Sequence, residues 1–189
     1  MLGFLIIVVH QIVFQGMFAF KNFILKKTTG MKIRGKNVEA SISTIYFALF
    51  IIASLMISFF NLKFGRLQML NDNVSLLLAL GILIINLILS AFSLVHLKNS
   101  WRVGVIEDQK TDLITSGIYS FTRNPYFLSY ILMFGAYTIL LQSLLLFFLS
   151  FIGFFLVHSM VIKEEKYLHS IHGDKYLKYK SKVPRYFII

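Results

Sequence analysis

Apolar residues in this chain gather in long unbroken runs. Five stand out: Leu2–Phe20, Ile42–Phe60, Val74–Leu97, Tyr126–Leu141 and Leu144–Ile162. A helix rises ~1.5 Å per residue and needs about 20 residues to cross a ~30 Å hydrocarbon core. Four runs hold 19 residues or more, and each predicts a membrane-spanning helix. The Tyr126–Leu141 run holds only 16, but Gln142 and Ser143 alone part it from the next, so the two predict a helical hairpin with a tight turn. The pattern therefore predicts an all-α membrane protein with about five transmembrane helices in a single integral-membrane domain, 1–189. Three spans would occupy 1–97, and the second half, 98–189, would hold the hairpin 125–162 and a cytoplasmic helical tail, 163–189.

Composition supports this. Hydrophobic residues make up 57% of the chain and charged ones 14%, against ~25% charged in an ordinary soluble domain. With no cysteine, a disulfide scaffold, thiolate metal sites and a cysteine nucleophile are excluded. The net charge of +11 would suggest nucleic acid on a soluble face, so its placement decides its meaning. Seventeen of the nineteen basic residues fall in Lys21–Ala40, in Lys98–Pro125 and beyond Ile162, leaving Lys63 and Arg66 in Asn61–Asn73. The positive-inside rule then expects the N-terminus outside and the C-terminus in the cytoplasm. Topology and anionic membrane lipids account for the charge, and no nucleic-acid partner is expected. The first run lacks a basic leader and a small-residue cleavage site and exceeds the 7–15 apolar residues of a signal peptide, so a retained anchor is expected.

Polar residues interrupt the runs at His10, Gln11, Gln15, Asn86, Ser90, Ser93 and His158. Asn86, Ser90 and Ser93, spaced i, i+4, i+7, share one helical face. Such residues either hydrogen-bond between helices, at roughly 0.6 kcal/mol each, or border a functional cavity. His158 precedes Glu165 by seven residues, so both can face one side of a helix.

Candidate chemistry concentrates between Trp101 and Arg185. Ser100-Trp101-Arg102-Val103-Gly104-Val105 and the acidic pair Glu107-Asp108 lead to Gly117-Ile118-Tyr119 and Thr122-Arg123-Asn124-Pro125. Asn is a favoured N-cap and Pro suits the first helical turn, so a helix is expected to start sharply here. Its N-terminal amides would be placed to hold an anion or ribose oxygens. Glu164-Glu165 follow the last span, with Leu168, His172-Gly173, Tyr176, Tyr179 and Val183-Pro184-Arg185 downstream. A hairpin returns Arg123 and the glutamates to one membrane face.

Together these residues resemble the isoprenylcysteine carboxyl methyltransferase family, which includes membrane phospholipid and thiol methyltransferases, its bacterial members most of all. The family pattern runs Gly-Pro-Tyr, Arg-His/Asn-Pro-x-Tyr-x-Gly, a hairpin, Glu-Glu-x-x-Leu-x-x-x-Phe-Gly-x-x-Tyr-x-x-Tyr and Val-Pro-Arg. Gly117, Tyr119, Arg123, Asn124, Pro125, Glu164, Glu165, Leu168, Gly173, Tyr176, Tyr179, Pro184 and Arg185 match it in order. Ile118, Phe127, Ser129 and His172 depart from it. The resemblance covers about Ser100 to Tyr186.

The resemblance implies methyl transfer from S-adenosylmethionine at the cytoplasmic face of a bacterial inner membrane, to a lipophilic acceptor entering from the bilayer. An isoprenylcysteine-type carboxylate is the first acceptor it suggests, with a phospholipid amine or a small thiol as alternatives. It implies Arg123, Glu165 and Arg185 as catalytic residues, the arginines pairing with the cofactor carboxylate or an acidic acceptor. Tyr119, Asn124, Pro125, Tyr126, Glu164, Glu165, Tyr176 and Tyr179 are implied as cofactor contacts. A carboxylate acceptor needs no base, whereas an amine or thiol makes His158, His172 or a glutamate a candidate. Three other readings compete: a metal site at Glu165, His169 and His172, a nicotinamide-dependent membrane reductase, and a membrane scaffold. No metal is expected, because Gly173 closes the turn and Glu165 already has a role in the family pattern.

Overall fold

The structure, a computed structural model, describes residues 1–187 apart from 31, 32, 34, 36, 37, 64, 105 and 107–110. The Glu107-Asp108 pair thus lies outside the described residues. Among the described residues six α-helices follow in order: α1 (Leu2–Thr29), α2 (Val38–Phe59), α3 (Asp72–His96), α4 (Pro125–Leu141), α5 (Leu144–His172) and α6 (Asp174–Lys180). Two short 3-10 turns, Lys98–Ser100 and Gly117–Ser120, punctuate the stretch between α3 and α4. Helices α1, α2, α3 and α5 are long and apolar enough to cross a membrane, and α4 is a shorter apolar helix. The chain is an all-α, multi-pass membrane protein.

Two helices outrun the apolar stretches that predict them. From Phe20 to Thr29 nothing breaks α1, and Gly30 ends it in the left-handed conformation with its N–H on the Lys26 carbonyl at 3.1 Å. Past Ile162 the helix formers Lys163, Glu164, Glu165, Lys166 and Leu168 carry α5 on to Gly173, where φ of 50° stops it. At 29 residues α5 is about 43 Å long, and its last ten residues extend beyond the apolar span. Glu164 and Glu165 stand on that extension.

Helix α4 sits in the middle, touching α1, α2, α3 and α5 and packing most extensively on α3. Being short and surrounded, it is buried around much of its circumference, through Leu128, Ser129, Met133, Phe134, Ala136 and Tyr137. Phe134 fits against α5 because residue 153 is glycine: a Cβ there would lie 2.6 Å from the Phe134 ring.

The polar residues of the spans stitch this core together. Asn86 Nδ2 donates to the Ser129 carbonyl (2.6 Å), and His10 bridges the Asn86 Oδ1 (2.9 Å) and the Tyr137 hydroxyl (2.7 Å). Gln11 adds a donor to that hydroxyl at 2.8 Å. Ser90 and Ser93 return their hydroxyls to carbonyls one turn back in their own helix. Interhelical bonding is therefore the role of His10, Gln11 and Asn86, while Ser90 and Ser93 bond within α3; none of Asn86, Ser90 and Ser93 lines the cavity beside Glu164.

The α4–α5 turn is as tight as expected. Gln142 adopts the left-handed conformation, and Ser143 caps α5 by accepting the Leu146 N–H at 3.4 Å. The α2–α3 loop braces it: Leu67 N–H reaches the Gln142 carbonyl at 2.7 Å, and Gln142 Oε1 accepts from Leu70 N–H at 3.0 Å.

Candidate active site

At the other end of the hairpin the chain before Pro125 and the chain after α6 fold together. Arg123 N–H donates to the Pro184 carbonyl at 3.0 Å, and Thr122 Oγ1 to the Arg185 carbonyl at 2.9 Å. Glu165 is the centre of this junction. Its Oε1 accepts from Arg123 Nε (3.2 Å) and Nη2 (3.0 Å), from Asn124 Nδ2 (3.0 Å) and from Arg185 Nε (3.2 Å). Its Oε2 accepts from Arg185 Nη2 at 3.0 Å. Arg123 Nη1 donates to the carbonyls of Lys180, at 3.1 Å, and Val183. Burial pushes the Glu165 carboxyl up, but hydrogen bonds from Arg185 and Asn124 and the two guanidinium charges overcome it and hold it below the ordinary carboxylate range.

This latch bears on three readings of the sequence. Asn124 begins α4 but makes no side-chain cap, because its amide is taken by Glu165 and by the Arg185 carbonyl at 3.2 Å. Arg123 and Arg185 are both paired with Glu165 rather than left open for an anion. The set Glu165, His169 and His172 does share α5, but two guanidinium groups already engage its carboxylate.

Beside the latch lies a cavity of about 370 Å³. Tyr119, Arg123, Asn124, Pro125, Tyr126, Glu164 and Tyr179 all line it, whereas Glu165, Arg185 and Tyr176 do not. Neither His158 nor His172 lines it; His158 Nδ1 instead meets the Tyr186 hydroxyl at 3.2 Å. Tyr176 packs against Tyr179 with ring centres 6.3 Å apart, and its buried hydroxyl, near Arg123, has no geometrically formed hydrogen bond among the described residues.

Local sequence explains the polar part of the wall. Gly117 holds φ of +65° while pressed against His96, where a Cβ would come within 2.7 Å of the imidazole. Only glycine satisfies both conditions. The 3-10 turn that follows carries Tyr119, whose carbonyl accepts from the Tyr179 hydroxyl at 2.6 Å. Burial, then the nearby charge of Glu164, keeps the Tyr119 phenol well above its ordinary value, so it is a neutral donor. Glu164, one residue from the latch but about 100° around α5, faces the cavity instead of Glu165's partners. It makes no hydrogen bond or ion pair among the described residues. Burial and the Glu165 charge push its carboxyl up to about 7.

The rest of the wall is aromatic. Trp101 meets Tyr126 edge-on at 4.7 Å and Phe18 at 5.9 Å, and Phe47 stacks on Tyr130 at 4.4 Å. Asn22 of α1 fixes the indole, accepting from Trp101 Nε1 at 2.8 Å. The Tyr126 hydroxyl, beside Tyr130, is buried without a geometrically formed hydrogen bond among the described residues. Phe18, Phe47 and Tyr130 were not singled out by the sequence. With twenty phenylalanines in the chain, no single one carries a signal, and these three come from three separate helices.

The fold is a bundle of apolar helices long enough to cross a membrane, with an aromatic cavity at one end whose wall holds an acid and a phenol without hydrogen-bond partners among the described residues. Residues 74–175 match the phospholipid methyltransferase family over more than half the chain, and the chain belongs to that family. The match begins at Val74 and so takes in α3, one span more than the motifs alone reach. It supports a membrane methyltransferase rather than a reductase or a scaffold. No individual curated protein matches the chain.

Proposed function

We propose that the protein methylates the amino group of a membrane lipid with S-adenosylmethionine, at the cytoplasmic face of a bacterial inner membrane. The observation that carries this reading is the unpaired Glu164 carboxylate inside an aromatic-walled cavity. A sulfonium cofactor fits these groups: Trp101, Tyr126 and Tyr179 line the cavity, and an aromatic face turned to a cation attracts it by ~0.5–2 kcal/mol. The orphaned Tyr126 hydroxyl supplies a donor for a ribose or carboxylate oxygen. When bound beside these residues, S-adenosylmethionine would supply an activated methyl group, its carbon–sulfur electron pair leaving with sulfur as the acceptor nitrogen gains the carbon.

The chain's own residues do the remaining work. Glu164, held near neutrality, takes the proton that an ammonium must lose before its nitrogen can attack. Tyr119 and Tyr179 pack one side of the pocket, and the Glu165 latch fixes both to the loop before α4. Alignment of nucleophile and methyl is the larger effect, for which ~7–11 kcal/mol is available. The isoprenylcysteine-type carboxylate suggested by the family pattern fits less well, because Arg123 and Arg185 are held by Glu165. Arg102, which lines the wall while its Nη1 donates to the Asn99 and Trp101 carbonyls, is the cation a carboxylate acceptor would meet in a second reading.

Equilibrium binding of labelled S-adenosylmethionine and of NADPH to purified protein, then transfer of labelled methyl into a total lipid extract, tests the proposal. Binding of the first alone and label in amine phospholipids is expected, with Glu164→Gln lowering kcat by about 10²–10⁴ at pH 7.5. Label confined to carboxyl methyl esters would transfer the case to the second reading, and absence of cofactor binding would end both.

A further inference from the structure

The chain after α6 turns back toward the membrane. The ten residues of α5 beyond Ile162 lift it about 15 Å above the apolar run before Gly173 ends the helix. From there the chain descends along the same helix. The His169 and Tyr176 rings lie 6.2 Å apart, Arg185 Nη2 reaches Glu165 at 3.0 Å, and the Tyr186 hydroxyl meets His158 Nδ1 at 3.2 Å. These contacts step down α5 from residue 169 to 165 to 158, so the Tyr186 ring lies beside the apolar run that ends at Ile162. Tyr186 packs there against the hydrophobic core of the spans.

The other half of the latch sits at the same height. Thr138 Oγ1 meets Ser150 Oγ at 2.7 Å, and Phe134 packs on Gly153. That register sets Pro125, the first residue of α4, level with Ile162 and Lys163 of α5. Phe121 precedes Thr122, whose hydroxyl donates to the Arg185 carbonyl at 2.9 Å, and Phe187 follows Arg185 by two residues. Each half of the latch thus carries an uncovered phenylalanine where the spans end, Phe121 being 67% exposed and Phe187 53%. Lys180 and Lys182 are exposed at this level too, since Arg123 Nη1 donates to the Lys180 carbonyl at 3.1 Å. Neither lysine makes an ion pair among the described residues.

Aromatic rings favour the boundary between acyl chains and head groups, and lysine stems let the charge reach the phosphates. We propose that Phe121, Phe187, Lys180 and Lys182 form a docking surface for anionic phospholipid in the leaflet nearest the latch. The rings enter the head-group boundary and the lysines hold phosphates. Both chain segments that meet at Glu165 are then seated on one membrane surface. The proposal needs only the fold and the spans, so it stands apart from methyl transfer.

The chain has no cysteine, so Phe187→Cys, Phe121→Cys and Lys175→Cys can each carry one environment-sensitive fluorophore in the full-length protein. In nanodiscs of phosphatidylcholine and phosphatidylglycerol, emission at 187 and 121 is expected to shift to the blue. Lipids with a nitroxide near the head of one chain should quench it. Position 175, at the top of α6, should emit as in water. Nitroxide-phosphatidylglycerol should quench position 187 at about one-fifth of the mole fraction that nitroxide-phosphatidylcholine needs, the preference one lysine at the surface supports. Lys180→Gln with Lys182→Gln should bring the two lipids level. Water-like, unquenched emission at 187 or 121, or equal quenching at 175, would overturn the docking surface. Equal potency of the two lipids on the parent lysines would overturn the anionic partner. Should Phe187→Cys fail to fold, the same readings at position 121 decide.

Discussion

Glu164 and Glu165 are neighbours in sequence and opposites in circumstance, and their substitutions should part accordingly. Glu165 is held below the ordinary carboxylate range by its partners, and Arg123, with 7% of its side chain exposed, depends on it for a counter-charge. Glu165→Gln should cost about 3–5 kcal/mol, read as a lower melting temperature in detergent. Glu164 is raised to about 7, above the ~4.3 of an unfolded chain. A carboxyl raised in the fold contributes stability that is whole below the unfolded value and lost as pH climbs through the folded one. Glu164→Gln should therefore melt with the parent at pH 4 and above it at pH 8. Its residual transfer should lack the rise through pH 7 that the ionising base gives the parent. Tyr126→Phe removes a buried hydroxyl without a geometrically formed hydrogen bond among the described residues, so stability should hold while cofactor affinity falls roughly tenfold. Sequence could name the Glu-Glu pair but could not say which member faces the cavity. Adjacent helical positions diverge by about 100°, and only the docking of the tail sets the direction.

Among the elements, the hairpin was the most legible, because Gln142-Ser143 between two apolar runs leaves the chain little else to do. The length of α5 was not, since its hydropathy ends at Ile162 while its helix-forming residues continue to His172. The Asn124-Pro125 helix start was half read. Proline takes the first turn as expected, but the asparagine amide finds a charged partner in Glu165 and abandons the cap. The α4–α5 contact supplies a prediction at this scale. Gly153→Ala would drive a methyl into the Phe134 ring, with no slack on either helix, and should destabilise by about 1–3 kcal/mol in thermal or denaturant unfolding. Because Gly153 is absent from the cavity wall, cofactor affinity should change little in the folded fraction.

For the molecule as a whole, apolar runs gave the class and the order of motifs gave the family, while the aromatic wall stayed hidden because Phe18, Phe47, Trp101 and Tyr130 meet only after the helices pack. The proposed orientation follows from basic residues alone and is open to direct measurement. The chain has no cysteine, so single reporters at Lys63→Cys and Lys178→Cys start from a clean background. An impermeant maleimide should reach position 63 from the periplasmic side only and position 178 from the cytoplasmic side only. The latch also has a consequence in time. Its first half, Thr122 to Asn124, is synthesised before either helix of the hairpin, and its second half, Pro184-Arg185, some sixty residues later. During translation the nascent bundle can be threaded into the bilayer helix by helix, yet the carbonyls that Thr122, Arg123 and Asn124 bond to on Pro184 and Arg185 do not exist until the tail emerges. A ribosome that stalls short of them leaves an inserted bundle whose junction is open.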